Sequence, residues 1–97
     1  LSSYQGVGAQ GQQQQKRNKA LKKTITGAAT HGGLIQITAV AHTFRDEDRI
    51  TITGVGGTVE ANAAWRVAFI DANHFDLKNS TFTNVYTSGG IATRTQG

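Results

Sequence analysis

At 97 residues the chain has room for one domain, and its net charge of +4 carries too little acid for an acidic, solvating class of protein. The absence of cysteine excludes a disulfide framework and a thiolate metal site, and no run approaches the roughly 20 apolar residues of a membrane span. The charge is unevenly placed. Lys16, Arg17, Lys19, Lys22 and Lys23 precede Thr24 with no acid among them, whereas from Thr24 onward Arg45, Arg49, Arg66, Lys78 and Arg94 face six acids, five against six giving −1.

In chain order, residues 1–15 (LSSYQGVGAQGQQQQ) are of low complexity, with Leu1, Tyr4 and Val7 as the only substantial apolar anchors. Glycines raise the entropic cost of ordering such a segment, and it has little apolar surface to offset that cost. Residues 12–23 have fair helix propensity but no amphipathic stripe. The expected organisation is therefore a Gln/Gly-rich basic arm over residues 1–24, extended or frayed, and a β-domain over 25–97. No apolar segment follows Leu1-Ser2-Ser3, so no signal peptide is expected.

The β-domain opens at Ile25, turns at Gly32-Gly33, and continues into a β-branched strand over 34–40. Residues 49–54 alternate cleanly, with Ile50 and Ile52 facing in and Arg49, Thr51 and Thr53 facing out. Gly54, Gly56 and Gly57 supply a loop. Trp65, Val67 and Phe69 share one face of the next strand and read as core. Asp71-Ala72-Asn73 is a turn, Phe75 and Leu77 share a face, and Ser88-Gly89-Gly90 turns into a last strand at 91–94. Short strands with frequent glycine turns predict an all-β fold, a small antiparallel barrel or sandwich. About 70 residues make a marginal core without staples, so association with other copies or a larger body is expected to add stability.

Candidate chemistry is sparse. His31, His42 and His74 show none of the spacings that gather three or four zinc ligands, and read as turn or surface residues. Asp46-Glu47-Asp48 lacks the alternating oxygens and distal Glu of a calcium loop, and reads as an inter-strand turn paired with its flanking Arg45 and Arg49. Gly54 to Gly57 lack the Lys-Ser/Thr and following helix of a phosphate loop. No Ser has a nucleophile-elbow context, and a barrel this small leaves little room for a cleft between two acids. Neither catalytic nor metal nor cofactor-binding residues are assigned, and no enzymatic activity is expected.

His42-Thr43-Phe44, the acidic turn Asp46 to Asp48, the strand Ile50-Thr51-Ile52-Thr53-Gly54-Val55, Asn62, the hydrophobic strand Val67 to Ile70, Phe75-Asp76-Leu77 and Tyr86-Thr87-Ser88-Gly89-Gly90 follow one another in a characteristic order. This order resembles a small β module recurrent in bacteriophage tail and other virion proteins, itself similar to a small β-domain of ubiquitin-activating enzymes. The resemblance covers about residues 34–94. The chain has Glu47 where that family usually has Gly before the turn Asp, so a turn of different shape is expected. What the resemblance implies is a scaffold: a non-enzymatic virion protein in the tail (adaptor, nozzle or fibre attachment), with capsid decoration or a receptor- and carbohydrate-binding module as alternatives. For the last of these, Phe82 and Tyr86 are the candidate ligand-facing residues.

The arm carries the remaining expectation. Leu1, Tyr4, Val7 and the cations Lys16, Arg17, Lys19, Lys22 and Lys23 would dock the module on other virion proteins within a symmetric assembly. Five cations in eight residues could also neutralise phosphates without regard to sequence. With the β-domain near neutral, nucleic-acid contact would have to rest on the arm alone.

Overall fold

A computed structural model describes residues 21–94. Seven strands run β1 (Leu21–Thr24), β2 (Gly27–His31), β3 (Leu34–Thr38), β4 (Arg49–Thr53), β5 (Ala64–Asp71), β6 (His74–Leu77) and β7 (Ile91–Arg94), with one 3-10 turn at Val59–Ala61. All pair antiparallel in one sheet of order β1-β7-β4-β5-β6-β3-β2, curled into a half-barrel. The expected all-β class is therefore the fold.

The two strands at the ends of that order, β1 and β2, are consecutive in the chain. Ile25 N–H donates to Gly90 O at 2.9 Å, extending the pairing with β7, and Thr26 N–H donates to Thr38 O at 2.8 Å, opening the pairing with β3. The chain thus leaves one edge and enters the other across a single peptide, with Ile25 buried at the corner. Strand β5 makes the opposite corner. Its first residues pair with β4 and its later ones with β6, with a register shift between Phe69 and Asp71.

The alternation of β4 is borne out: Ile50 and Ile52 are buried between exposed Arg49, Thr51 and Thr53. They meet Ile35 and Ile37 of β3, Val67 of β5, Phe75 and Leu77 of β6 and Ala92 of β7 in one core. The β2–β3 hairpin closes through Gly32 and Gly33 at φ 62° and 91°, the two-residue turn whose twist matches that of the strands.

The structure corrects several expectations. Leu21–Thr24 belong to the sheet, not to an arm ending at 24: Leu21 packs against the core, Lys22 and Thr24 point outward, and the segment covers the edge of β7. Phe69, expected in the core, is 51% exposed, because the β5 irregularity follows directly after it. His42, expected at the surface, is fully buried. The acidic turn makes its ion pairs with Arg66, Lys78 and Arg94, distant in sequence, and not with the side chains of Arg45 and Arg49. Glu47 takes φ 73°, the left-handed conformation that glycine adopts at little cost, so its side chain is tolerated where a glycine would relax the turn. Leu1, Tyr4, Val7, Lys16, Arg17 and Lys19 lie outside the described residues.

Candidate functional site

His31 stands apart on Asp76, whereas His42 and His74 are neighbours that both meet Asp71, with His42 Nε2 also 3.3 Å from the His74 carbonyl oxygen. His42 is wedged among aromatic rings, its ring centroid 5.6 Å from Phe44, 5.1 Å from Phe75 and 5.9 Å from Phe69. Its Nδ1 accepts from Phe44 N–H at 2.9 Å and its Nε2 faces Asp71 O at 2.8 Å, an arrangement that assigns the Nε2–H tautomer. Ala41 and Thr43 on either side stand at φ 52° and 58°, strain that turns the imidazole inward. His31 Nδ1 lies 2.7 Å from Asp76 Oδ2 and covers that carboxylate, which is only 6% exposed. His74 pairs with Asp71 at 2.9 Å, and the Asn73 N–H together with His74 holds the Asp71 carboxyl below its ordinary value. Among the described residues no three His, Asp or Glu side chains gather as a metal site.

The acidic turn is a hub of pairing across strands. Asp48 accepts from Arg45 N–H at 2.8 Å and meets Arg94 at 3.3 Å. Asp46 accepts from Phe69 N–H at 2.9 Å. Glu47 pairs with Lys78 and reaches Arg66 at 3.9 Å, and its hydrogen bond raises the Lys78 pKa. The reading of these acids as an inter-strand turn holds; their distant partners come from β5, β7 and Lys78, just past β6.

Glu60 clamps the loop opposite. One carboxylate oxygen accepts from Thr83 N–H at 2.7 Å and Asn84 N–H at 2.8 Å, and the other from the Asn84 side chain at 2.9 Å. Desolvation pushes this carboxyl up, but the Asn84 and Thr83 hydrogen bonds outweigh it and hold the pKa at about 2 against an ordinary 4.5. A carboxyl with a depressed folded pKa stabilises above its unfolded value, and that stabilisation is lost as pH falls from about 4.5 towards 2. Glu60→Gln is therefore expected to cost about 1 kcal/mol at neutral pH, after allowance for solvent screening. Urea titrations of both proteins check this: the gap should close near pH 2, and a gap that persists there would assign the loss to shape, not charge.

Phe82 and Tyr86, the residues expected to face a ligand, lie in the loop before the last strand. Both are half-buried against the core, and the Tyr86 hydroxyl donates to Gly89 O at 2.9 Å. The exposed apolar residue of that loop is Val85. Trp65, likewise half-buried, donates its Nε1–H to Ala61 O at 2.8 Å.

The feature that sequence reasoning missed is the outer face of β1, β7, β4 and β5. Register places Lys22 opposite Thr93, Thr93 opposite Thr51 and Thr51 opposite Ala64. In the adjacent row Arg49 stands directly opposite Arg66. An open groove of about 770 Å³ lies along this face, lined by Arg49, Thr51, Ala64, Arg66, Lys78, Asn79 and Glu47, with Ile50 and Trp65 also among its lining. The signal was present in the alternation of β4, but only the pairing of β4 with β5 brings the two arginines together.

No family model matches the chain and no curated protein matches it. Among the described residues no helix is long and apolar enough to cross a membrane.

Proposed function

We propose that this chain is a non-enzymatic structural protein of a bacteriophage particle, whose β-domain is placed by its N-terminal arm. The resemblance of residues 34–94 carries the reading; beside it, of the buried polar side chains among the described residues His42, Thr58 and Ser80 are engaged within the fold, and Asp76 through one oxygen only. His42 joins Phe44 N–H to Asp71 O, Thr58 donates to Asn84 O at 2.8 Å, Ser80 accepts from Ile35 N–H at 2.9 Å, and Asp76 is engaged through one oxygen by His31. The resemblance favours the tail, as adaptor, nozzle or fibre attachment, over capsid decoration.

The test is deletion of residues 1–20. The cut falls before Leu21, because removing 21–24 would strip β7 of one of its two partners and expose its edge. The truncated protein is expected to keep its β-sheet circular dichroism yet to be absent from purified particles by quantitative mass spectrometry. Full incorporation without the arm would overturn docking by the arm. A low, symmetric copy number in tail fractions supports the tail, whereas abundance on capsids moves the protein to decoration.

A further inference from the structure

We propose that the outer face of β1, β7, β4 and β5 is a nucleic-acid-backbone binding surface, with Arg49 and Arg66 as its centre. The sequence average hides this face. Asp76, Asp71 and Glu60 are engaged elsewhere in the fold, by His31, by His74 and by the 83–84 loop respectively. Asp48 is held by Arg94 at the end of the sheet. Around the groove Lys78 is taken up by Glu47 and the neighbouring Asp46, which leaves Arg49 and Arg66, with Lys22 two strands away, as the cationic surplus.

Two arginines directly opposite each other on adjacent antiparallel strands repel, an arrangement that works against the sheet unless an anion joins them. Arg66 is partly compensated by Glu47 at 3.9 Å, while Arg49 has no ion-pair partner among the described residues. Paired guanidiniums offer the forked donors that fit phosphate oxygens, and the hydroxyls of Thr51 and Thr93 line the same face. Phosphate contacts need donors and an open track more than apolar pockets, and this face supplies them. Trp65 pairs with Ile50 on the opposite, inward face and packs against the core, so it offers no stacking platform on this face; contact would be to the backbone, without base sequence. The run leading into β1 adds to the case: no acid precedes Asp46, so the sequence entering this face carries only positive charge.

The experiment is fluorescence anisotropy of the full chain with a labelled duplex DNA of about 25 base pairs, titrated between about 50 and 200 mM salt. Wild type is expected to bind with an affinity that falls steeply with salt. Arg49→Ala/Arg66→Ala is expected to bind about tenfold or more weakly, with a salt slope reduced by about 2, while its urea midpoint is unchanged or higher because the like-charge pair is gone. Glu47→Gln is expected to bind more tightly. An unchanged slope in the double variant would leave binding to the arm alone and overturn the proposal, as would no binding by wild type at the lowest salt. Poly-glutamate is the competing probe: binding as tight as DNA's, and equally lost in the double variant, would replace nucleic acid by an acidic protein partner. Free protein and duplex suffice, so the result is read separately from particle incorporation.

Discussion

His42→Ala is expected to destabilise the domain by about 3–5 kcal/mol, enough to leave much of it unfolded at 25 °C. The imidazole is fully buried, so truncation opens a cavity between Phe44 and Phe75, which themselves sit edge to face at 5.6 Å. It also strands the Phe44 N–H and the Asp71 carbonyl, both served by the ring. A domain of this size has roughly 4–10 kcal/mol in total, and its melting temperature would fall by about 15–30 °C. His42→Phe separates the two contributions, since it restores a ring of similar shape but neither hydrogen bond. Urea denaturation should place it between wild type and alanine. A phenylalanine variant as stable as wild type would show that packing alone holds the corner. The consequence extends beyond the ring: residues 41–43 hang on it, and the bonds from Ala39 N–H to Asn73 O and from His42 N–H to Ala72 O fasten the same corner.

That corner also marks where sequence reasoning stops. The strands were legible wherever one face repeats every second residue: Ile50 and Ile52 in β4, Ile35 and Ile37 in β3, and the Gly32-Gly33 turn all lie where alternation and turn chemistry put them. His42 has no such periodicity. It is buried because two left-handed residues turn it inward, and neither Ala41 nor Thr43 announces that conformation. β1 was obscured by its lysines, although Leu21, Lys23 and Ile25 keep the period of two that ends in the core. Long-range pairing was the larger loss. Asp48 to Arg94 and Lys78 to Glu47 depend on which strands are neighbours, as does the meeting of Arg49 with Arg66. A charge count along the chain therefore reads neutral where the folded sheet sets Arg49 against Arg66 on its outer face.

Gly57→Ala is the second substitution expected to be near-lethal to the fold, on backbone grounds alone. Gly57 stands at φ 79°, and a methyl group there would run into the Val85 carbonyl and come within 2.6 Å of Thr87 N. Neither neighbour can yield as a flexible side chain would. Gly56 and Ser88 form an antiparallel bridge, with Gly56 N–H donating to Ser88 O at 2.7 Å and Thr87 N–H to Gly56 O at 3.0 Å. Parting the two segments would break these bonds and loosen the Thr58 hydroxyl from Asn84 O. The expected cost is about 3 kcal/mol or more, from strained φ and lost backbone hydrogen bonds together. Gly32→Ala is the control, because Gly32 has a comparable φ of 62° but open space around it. It should cost only about 1 kcal/mol, the left-handed penalty by itself. Equal losses in the two variants would mean that the 56–57 and 85–88 segments can separate freely. A loss confined mainly to Gly57 would make their contact a fixed closure of the half-barrel, and would give a physical reason for the glycine cluster at 54–57.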